Sequence, residues 1–279
     1  MTKIDFILLF DAVDANPNGD PDAGNLPRID PETGHGLVTD VCLKRKIRNY
    51  VQLTKAGKPR YDIYVKEKAV LNQLHEQAYN AKGQEKSSTE NPKAKAWMCE
   101  HFYDVRTFGA VMTTGEFNCG QVRGPVQISF SRSINEITQL EHAVTRCAVT
   151  NEKDVDKERT IGRKYTIPYG LYMAKGVVNP YLAEQTGFGE EDLGLLIEAL
   201  THMFDFDASA ARPAGSMTVR KLILFKHDSM LGNAPAHKLY DSVKVTKKPG
   251  IEFPRSIEDY DIVIPGSDEI PGVKVEVLE

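Results

Sequence analysis

KIDFILLFDAV (residues 3–13), DANPNGDPDAGNLPRIDP (14–31) and LVTDVCLKRKIRNYVQL (37–53) decide how the rest of the chain is read. The first segment alternates and then saturates with apolar side chains (Ile4, Phe6, Ile7, Leu8, Leu9, Phe10), the pattern of a buried strand. The second is dense in Asn, Pro, Gly and Asp, which fix turns through preset dihedrals and local side-chain hydrogen bonds. The third carries apolar residues at helical spacing, and Thr39 or Asp40 can cap its start.

Working outward, residues 61–65 predict a short strand, 67–79 a helix and 94–103 a second helix, with a polar surface loop, AKGQEKSSTENP, at 81–92. Residues 121–132 alternate as a strand, 137–149 predict a helix, and 171–178 and 216–226 predict strands. Residues 190–204 predict a helix with Leu193, Leu196, Ile197, Leu200 and Met203 at helical spacing. The segment 150–163 is too charged to pack and is flanked by strand formers, so it reads as a projecting arm. Strand, helix, strand, repeated with insertions, indicates an α+β domain of the split βαβ type, the RRM-like or ferredoxin-like architecture. The 279 residues fit one domain, 1–279, with large insertions, although the length alone would also accommodate two small ones. The aromatic RNP signature of an ordinary RRM is absent, so RNA binding is not expected to run through stacking on the sheet face.

The net charge of -4 is unevenly spread. Residues 1–33 and 251–279 are acidic. Between them, residues 36–61 carry Lys44, Arg45, Lys46, Arg48, Lys55, Lys58 and Arg60 against Asp40 alone. Arg163 and Lys164 lie in a second acid-free stretch, and Arg212, Arg220, Lys221 and Lys226 in a third. Cationic islands on an acidic body suit a polyanion groove. No apolar run approaches the ~18 residues of a membrane span, and no signal peptide is seen, so a cytoplasmic protein without membrane contact is expected. Cys42, Cys99, Cys119 and Cys147 are widely spaced and read as reduced thiols.

At about 100° per residue, Lys44, Arg45 and Arg48 fall within one arc of the 37–53 helix, beside an apolar arc of Leu43, Ile47, Tyr50 and Val51. Such cations can bridge successive phosphates without reading sequence. Replacing Lys44 and Arg48 by Ala is accordingly expected to weaken RNA binding about equally for unrelated sequences. The 14–19 loop matches half of an EF-hand pattern, but Asn25 stands where a bidentate Glu is needed and Pro17 and Pro21 interrupt it, so no calcium site is expected. The loop is instead an ordered turn, or one whose Asn and Gly backbone groups meet a ligand or a neighbouring subunit. Cys99 and His101 lack partners for a zinc site, no GxSxG or Walker motif appears, and Glu190, Glu191 and Asp192 would repel phosphate behind Gly187 and Gly189. No enzyme activity, metal or cofactor is expected.

The NPNGDPD loop at 16–22, followed by Leu26-Pro27-Arg28-Ile29 and the helix bearing Thr39-Asp40 and Leu43-Lys44-Arg45, resembles the Cas-seven backbone subunits of CRISPR Cascade complexes, nearest the type I-C branch. Gly162-Arg163-Lys164-Tyr165, Ile167 to Tyr172, and Ala211-Arg212-Pro213 extend the resemblance over most of the chain. It implies an RRM-like palm, a helical fingers insertion at 67–103 and a thumb hairpin at 150–168. Copies would stack head to tail along a CRISPR guide RNA, which then pairs with a target DNA strand. Further implied partners are a Cas-five-type processing and cap subunit, a large PAM-reading subunit and a recruited Cas-three helicase-nuclease. Lys44 and Arg48 match the family's basic helix positions, with Arg45 beside them; Asn16, Asn18, Thr39, Arg163, Lys164 and Arg212 complete the candidate RNA-binding set. Type III relatives cleave bound RNA through a loop aspartate, which leaves a metal-dependent ribonuclease using Asp14, Asp20 or Asp22 as the alternative.

Overall fold

β1 (Ile4–Ala15) runs through the middle of the main sheet, and its composition explains that position. Ile4, Phe6, Leu8, Phe10 and Ala12 enter the largest core cluster, whereas Ile7 and Leu9 enter a second cluster on the other side. A strand with side chains of period two and apolar residues on both faces must lie between two layers. The computed structural model describes residues 1–113, 115–156, 161–267 and 269–279.

Two short paired strands, β2 (Gly19–Asp20) and β3 (Leu26–Pro27), lead to β4 (His35–Val38) and helix α1 (Asp40–Thr54). An insertion follows, comprising α2 (Leu71–Ala81), α3 (Pro92–His101), α4 (Tyr103–Phe108) and the hairpin of β5 (Gly109–Met112) with β6 (Gly120–Arg123). It has its own core, including Tyr64, Tyr79, Met98, Phe102 and Cys119. The chain re-enters the sheet through β7 (Val126–Ile128), β8 (Ser131–Glu136), β9 (Leu140–Thr145) and β10 (Ile161–Val178). α5 (Pro180–Thr186), α6 (Glu190–His202), β11 (Met217–His227), α7 (Ala236–Ser242), β12 (Lys244–Lys247), β13 (Tyr260–Val263) and β14 (Val273–Leu278) complete it.

The main sheet has the order β14-β11-β1-β10-β8-β4, with antiparallel pairing throughout, and β7 and β9 also pair with β10. α1 and α6 cover one face through Leu43, Ile47, Val51, Leu193, Leu196 and Leu200. Leu239 of α7, with Val243 and the partly buried Val245 and Ile262, packs on the other.

Two buried ion pairs lock the insertion to this frame. Arg106 donates from Nε and Nη2 to both oxygens of Asp192, at 3.1 and 2.7 Å, and its guanidinium lies over the rings of Tyr61 and Tyr103. Asp192 also accepts from the Gly189 amide, closing the first turn of α6. Asp104 accepts from Arg48 Nε at 2.7 Å and from the Tyr64 and Val65 amides at 2.7 and 3.0 Å.

Several sequence expectations are corrected here. Residues 137–149 are not helical: β9 pairs with the start of β10, because Val144 and Thr145 suit an extended chain and no apolar surface is offered to a helical face. The predicted strand 121–132 is broken at Gly124-Pro125, where proline has no amide to donate and a Cβ on Gly124 would lie 2.3 Å from the Phe108 carbonyl carbon. The 61–65 strand reduces to one bridge, Asp62 with Phe102, since Asp104 takes the Tyr64 and Val65 amides. The helix predicted from 37 begins at Asp40, because Leu37 and Val38 pair with β8. The 171–178 strand begins ten residues earlier, at Ile161. The arm predicted at 150–163 and the thumb at 150–168 fall on the connection between β9 and β10 and the first part of β10. Residues 157–160 of that arm lie outside the described residues. All four cysteines are free thiols.

Candidate nucleic-acid interface

α1 is anchored at its start by the turn-rich loop. Thr39 Oγ1 accepts from the Cys42 amide at 3.2 Å, and Asn18 Oδ1 accepts from both the Thr39 amide, at 3.0 Å, and the Thr39 hydroxyl, at 3.1 Å. Asn16 donates from Nδ2 to the Asn25 carbonyl at 2.7 Å, closing the loop on itself. The Asn16 amide meets the Ala211 carbonyl at 2.9 Å, and Arg212 Nη1 donates to the Asn16 carbonyl at 3.4 Å, which joins the loop to the segment before β11. Gly19 fits closely there: a Cβ would stand 3.1 Å from the Asn25 carbonyl oxygen and 3.2 Å from Asn16 Nδ2, displacing the loop by a few tenths of an ångström.

This scaffold shapes a groove of about 1330 Å³. Its walls include Asn16 and Asn18 from the loop, Thr39, Arg45 and Arg48 from the start and length of α1, Arg163 and Lys164 from β10, and Arg212. Eight of the nine candidate residues, drawn from four separate stretches of chain, therefore line one concavity. Lys44 does not: its ammonium pairs with Asp40 at 2.8 Å. Seven cations (Arg45, Lys46, Arg48, Lys66, Arg163, Lys164 and Arg212) face the groove against two acids, Glu67 and Asp207. In a chain of net charge -4 the groove lining is thus rich in cations, three of which, Lys66, Arg163 and Arg48, are paired from outside the lining by Asp62, Glu141 and Asp104. That arrangement attracts a polyanion and repels little of it.

The cations differ in how free they are. Lys46 is buried and paired with Asp207, which also accepts from Arg212 Nε at 3.2 Å. Arg48 is buried against Asp104 and over the Phe108 ring, so the expected outward arc of Lys44, Arg45 and Arg48 is corrected. Arg163 pairs with Glu141 at 2.7 Å on the surface, an exchangeable contact. Arg45 is exposed, and neither it nor Lys164 has an ion-pair partner among the described residues. Burial pushes the Cys42 thiol up, against the pull of Lys46 and Arg212, which keeps it protonated in the groove. Lys66, Tyr165 and Asp207 also line the site; the basic character of Lys66, which pairs with Asp62 at 2.7 Å, is a signal the sequence carries, whereas Asp207 is brought in by tertiary packing against Lys46 and Arg212. Among the described residues, no group of three or more His, Cys, Asp or Glu is placed to hold a metal, and no helix is long and apolar enough to cross a membrane.

The fold and the groove define an α/β protein with a large antiparallel sheet and a cationic cleft floored by one helix. The family described as CRISPR-associated protein Cas7 matches residues 2–265, and the chain belongs to that family. A curated relative, the CRISPR-associated protein Cas7 of Haloferax volcanii, is 28% identical over 220 residues, which are 69% of this chain and 61% of the relative. The chain thus spans less than two thirds of that relative's length. Among solved structures, a chain of a CRISPR RNA-guided surveillance complex in a pre-nicking state aligns over 80% of this chain and 78% of its own, with 14% identity and a TM-score of 0.47. A chain of the type III-B Cmr-beta complex bound to cognate target RNA aligns over 81% of this chain and 61% of its own, with 10% identity and a TM-score of 0.44.

Proposed function

We propose that this chain is a guide-RNA-binding backbone subunit of a type I-C Cascade complex, whose copies stack head to tail along the CRISPR RNA. The observation that carries this reading is the gathering of eight candidate residues in one groove with seven cations and two acids. Phosphate contacts are sequence-blind, as binding of variable guides requires, and they leave base edges free to pair with a target DNA strand. The order β11-β1-β10-β8, with α1 and α6 on one face, supports an RRM-like palm; in this reading residues 67–103, within the inserted helices, serve as fingers and residues 150–168, between β9 and β10 and in the first part of β10, as thumb. The Cas-five-type cap subunit, the large PAM-reading subunit and the recruited Cas-three nuclease would then supply processing, recognition and cutting in the cytoplasm, with no chemistry on this chain.

The test is fluorescence anisotropy on unrelated single-stranded RNAs at several salt concentrations, with size-exclusion chromatography of the products. Phosphate contacts from the unpaired Arg45 and Lys164 and the exchangeable Arg163 predict a slope of log affinity against log salt of about -2. Stoichiometry should grow with RNA length. Absence of binding at low salt would overturn the reading. With Mg²⁺ or Mn²⁺ added, the RNA is expected to stay intact; cleavage abolished by Asp14→Asn, Asp20→Asn or Asp22→Asn would assign a ribonuclease instead. In the structure Asp20 is held by Arg28 at 3.3 Å and caps the Asp22 amide.

A further inference from the structure

β14 (Val273–Leu278) closes one end of the main sheet, and among the described residues β11 is its only strand partner. The phase of that pairing is fixed at its start, where the Asp228 amide donates to the Gly272 carbonyl. Residues alternate along an antiparallel ladder, so Lys274, Glu276 and Leu278 turn their amides and carbonyls towards β11, while Val273, Val275 and Val277 turn theirs outward. The Val273 amide is taken by the Ile270 carbonyl; its own carbonyl, and both groups of Val275 and Val277, face away from the sheet. An edge of this kind can add a strand.

The sequence along this edge says which strand fits. Val273-Lys274-Val275-Glu276-Val277 complements its own reverse. Two copies related by a two-fold axis through Val275 run antiparallel, with Val275 opposite Val275, Val273 opposite Val277 and Lys274 opposite Glu276. Val275 and Val277 supply the outward amides for this ladder, and Val277, 39% exposed, is covered by Val273 of the other copy. The Lys274–Glu276 positions are then the non-hydrogen-bonded ones, whose Cβ atoms approach to about 4.5–5.5 Å, within reach of an ion pair. Lys274 is exposed and has no ion-pair partner among the described residues, and Glu276 accepts from Lys226 at 2.6 Å, so its carboxylate sits between a lysine of its own strand pair and a lysine of the added strand. Charge also selects the register, because a slip of two residues either way sets Lys274 against Lys274 or Glu276 against Glu276. A lone lysine on an edge ordinarily deters strand addition. Opposite a glutamate it directs it.

We infer that the outer edge of β14 takes the β14 edge of a second copy of this chain, so that two RNA-free chains pair and their main sheets join into one. The contact is isologous and closes at two copies, unlike head-to-tail stacking, which is open. None of the six β14 residues lines the cationic groove, so the pairing stands apart from the groove reading and needs no RNA. One pair of short strands is a small interface, which makes this a weak, exchanging dimer.

The experiment is sedimentation velocity of the RNA-free full chain over a hundredfold range of concentration, on wild type, Glu276→Lys, the charge swap Lys274→Glu with Glu276→Lys, and Val277→Pro. Wild type should pass from monomer to dimer and stop there. Glu276→Lys sets like charges together at both symmetric positions and should weaken pairing about tenfold, and the swap should restore it to within about twofold of wild type. Val277→Pro removes an outward donor and no bond to β11, so it should be monomeric throughout. Circular dichroism of each variant confirms that the sheet is intact, and the swap keeps the test decisive should the proline variant misfold. A wild type that stays monomeric at every concentration, or a dimer that persists equally in Glu276→Lys, overturns the inference. So does a swap that fails to restore pairing, or RNA-free growth beyond two copies. All of these leave the groove reading untouched, since RNA affinity is measured separately.

Discussion

At the level of single residues, Arg45 and Arg48 separate two roles that a helical wheel assigns together. Both read from sequence as phosphate ligands, three residues apart on α1. Arg45 is exposed in the groove, so Arg45→Ala should lower RNA affinity about three- to tenfold for unrelated sequences, reduce the salt slope by about one and leave folding untouched. Arg48 is buried with its Nε on Asp104, and Arg48→Ala would strand a carboxylate that retains the Tyr64 and Val65 amides. Loss of about 3 kcal/mol of stability is expected, measurable by chemical denaturation, because one partner of a buried pair is left uncompensated. If Arg48→Ala folded with wild-type stability and lost RNA binding, the original outward arc would be restored. The difference was illegible in sequence because Asp104 lies 56 positions away, while charge type and helical phase, which were legible, are the same for both residues.

Among the elements, those with a buried apolar pattern were readable and those shaped by partners were not. β1, α6 and β11 carry their burial in their own composition, and their observed bounds lie close to the predicted ones. β9 has no buried face, so its extended form is dictated by pairing with β10, a constraint that local periodicity does not contain. The insertion is intermediate: its helices are recognisable, but its internal chemistry is not. His75 is fully buried on α2, with Nε2 2.8 Å from the Tyr64 hydroxyl, and burial holds its pKa below the usual histidine value. Above the ordinary value of about 6.5, folded and unfolded chains are both neutral at this site and stability is unaffected. As pH falls through about 6.5, the unfolded chain takes up a proton that the folded one refuses, so stability is lost. Denaturant titrations from pH 8 to 5 should show wild type losing more stability than His75→Gln below pH ~6.5, with parallel curves above it. Parallel curves throughout would show that His75 is not the responsible group.

For the whole molecule, the hairpin of β9 and β10 is the part whose surface is least accounted for by this chain alone. Every residue of β9 after Leu140 is exposed, and Val144 and Ile161 present apolar side chains to solvent. In the connection between the two strands, residues 151–153, 155 and 156 are exposed as well. The described side chains of this segment are exposed and contribute little to folding, so deleting residues 151–159 should leave Tm within about 2 °C of wild type. The ends are already close, because Thr145 and Ile161 are register partners, so residues 146–150 with 160 can close the hairpin without a larger loop-entropy cost. Assembly should behave differently. Arg163 and Lys164 remain in the groove, so single-copy RNA binding should persist, whereas particles that grow with RNA length should be lost if the arm reaches a neighbouring copy. Size-exclusion chromatography on RNAs of increasing length reads this directly. Unchanged growth in the deletion variant would mean that successive copies meet through the folded body, and that the exposed hairpin serves the RNA rather than the next subunit.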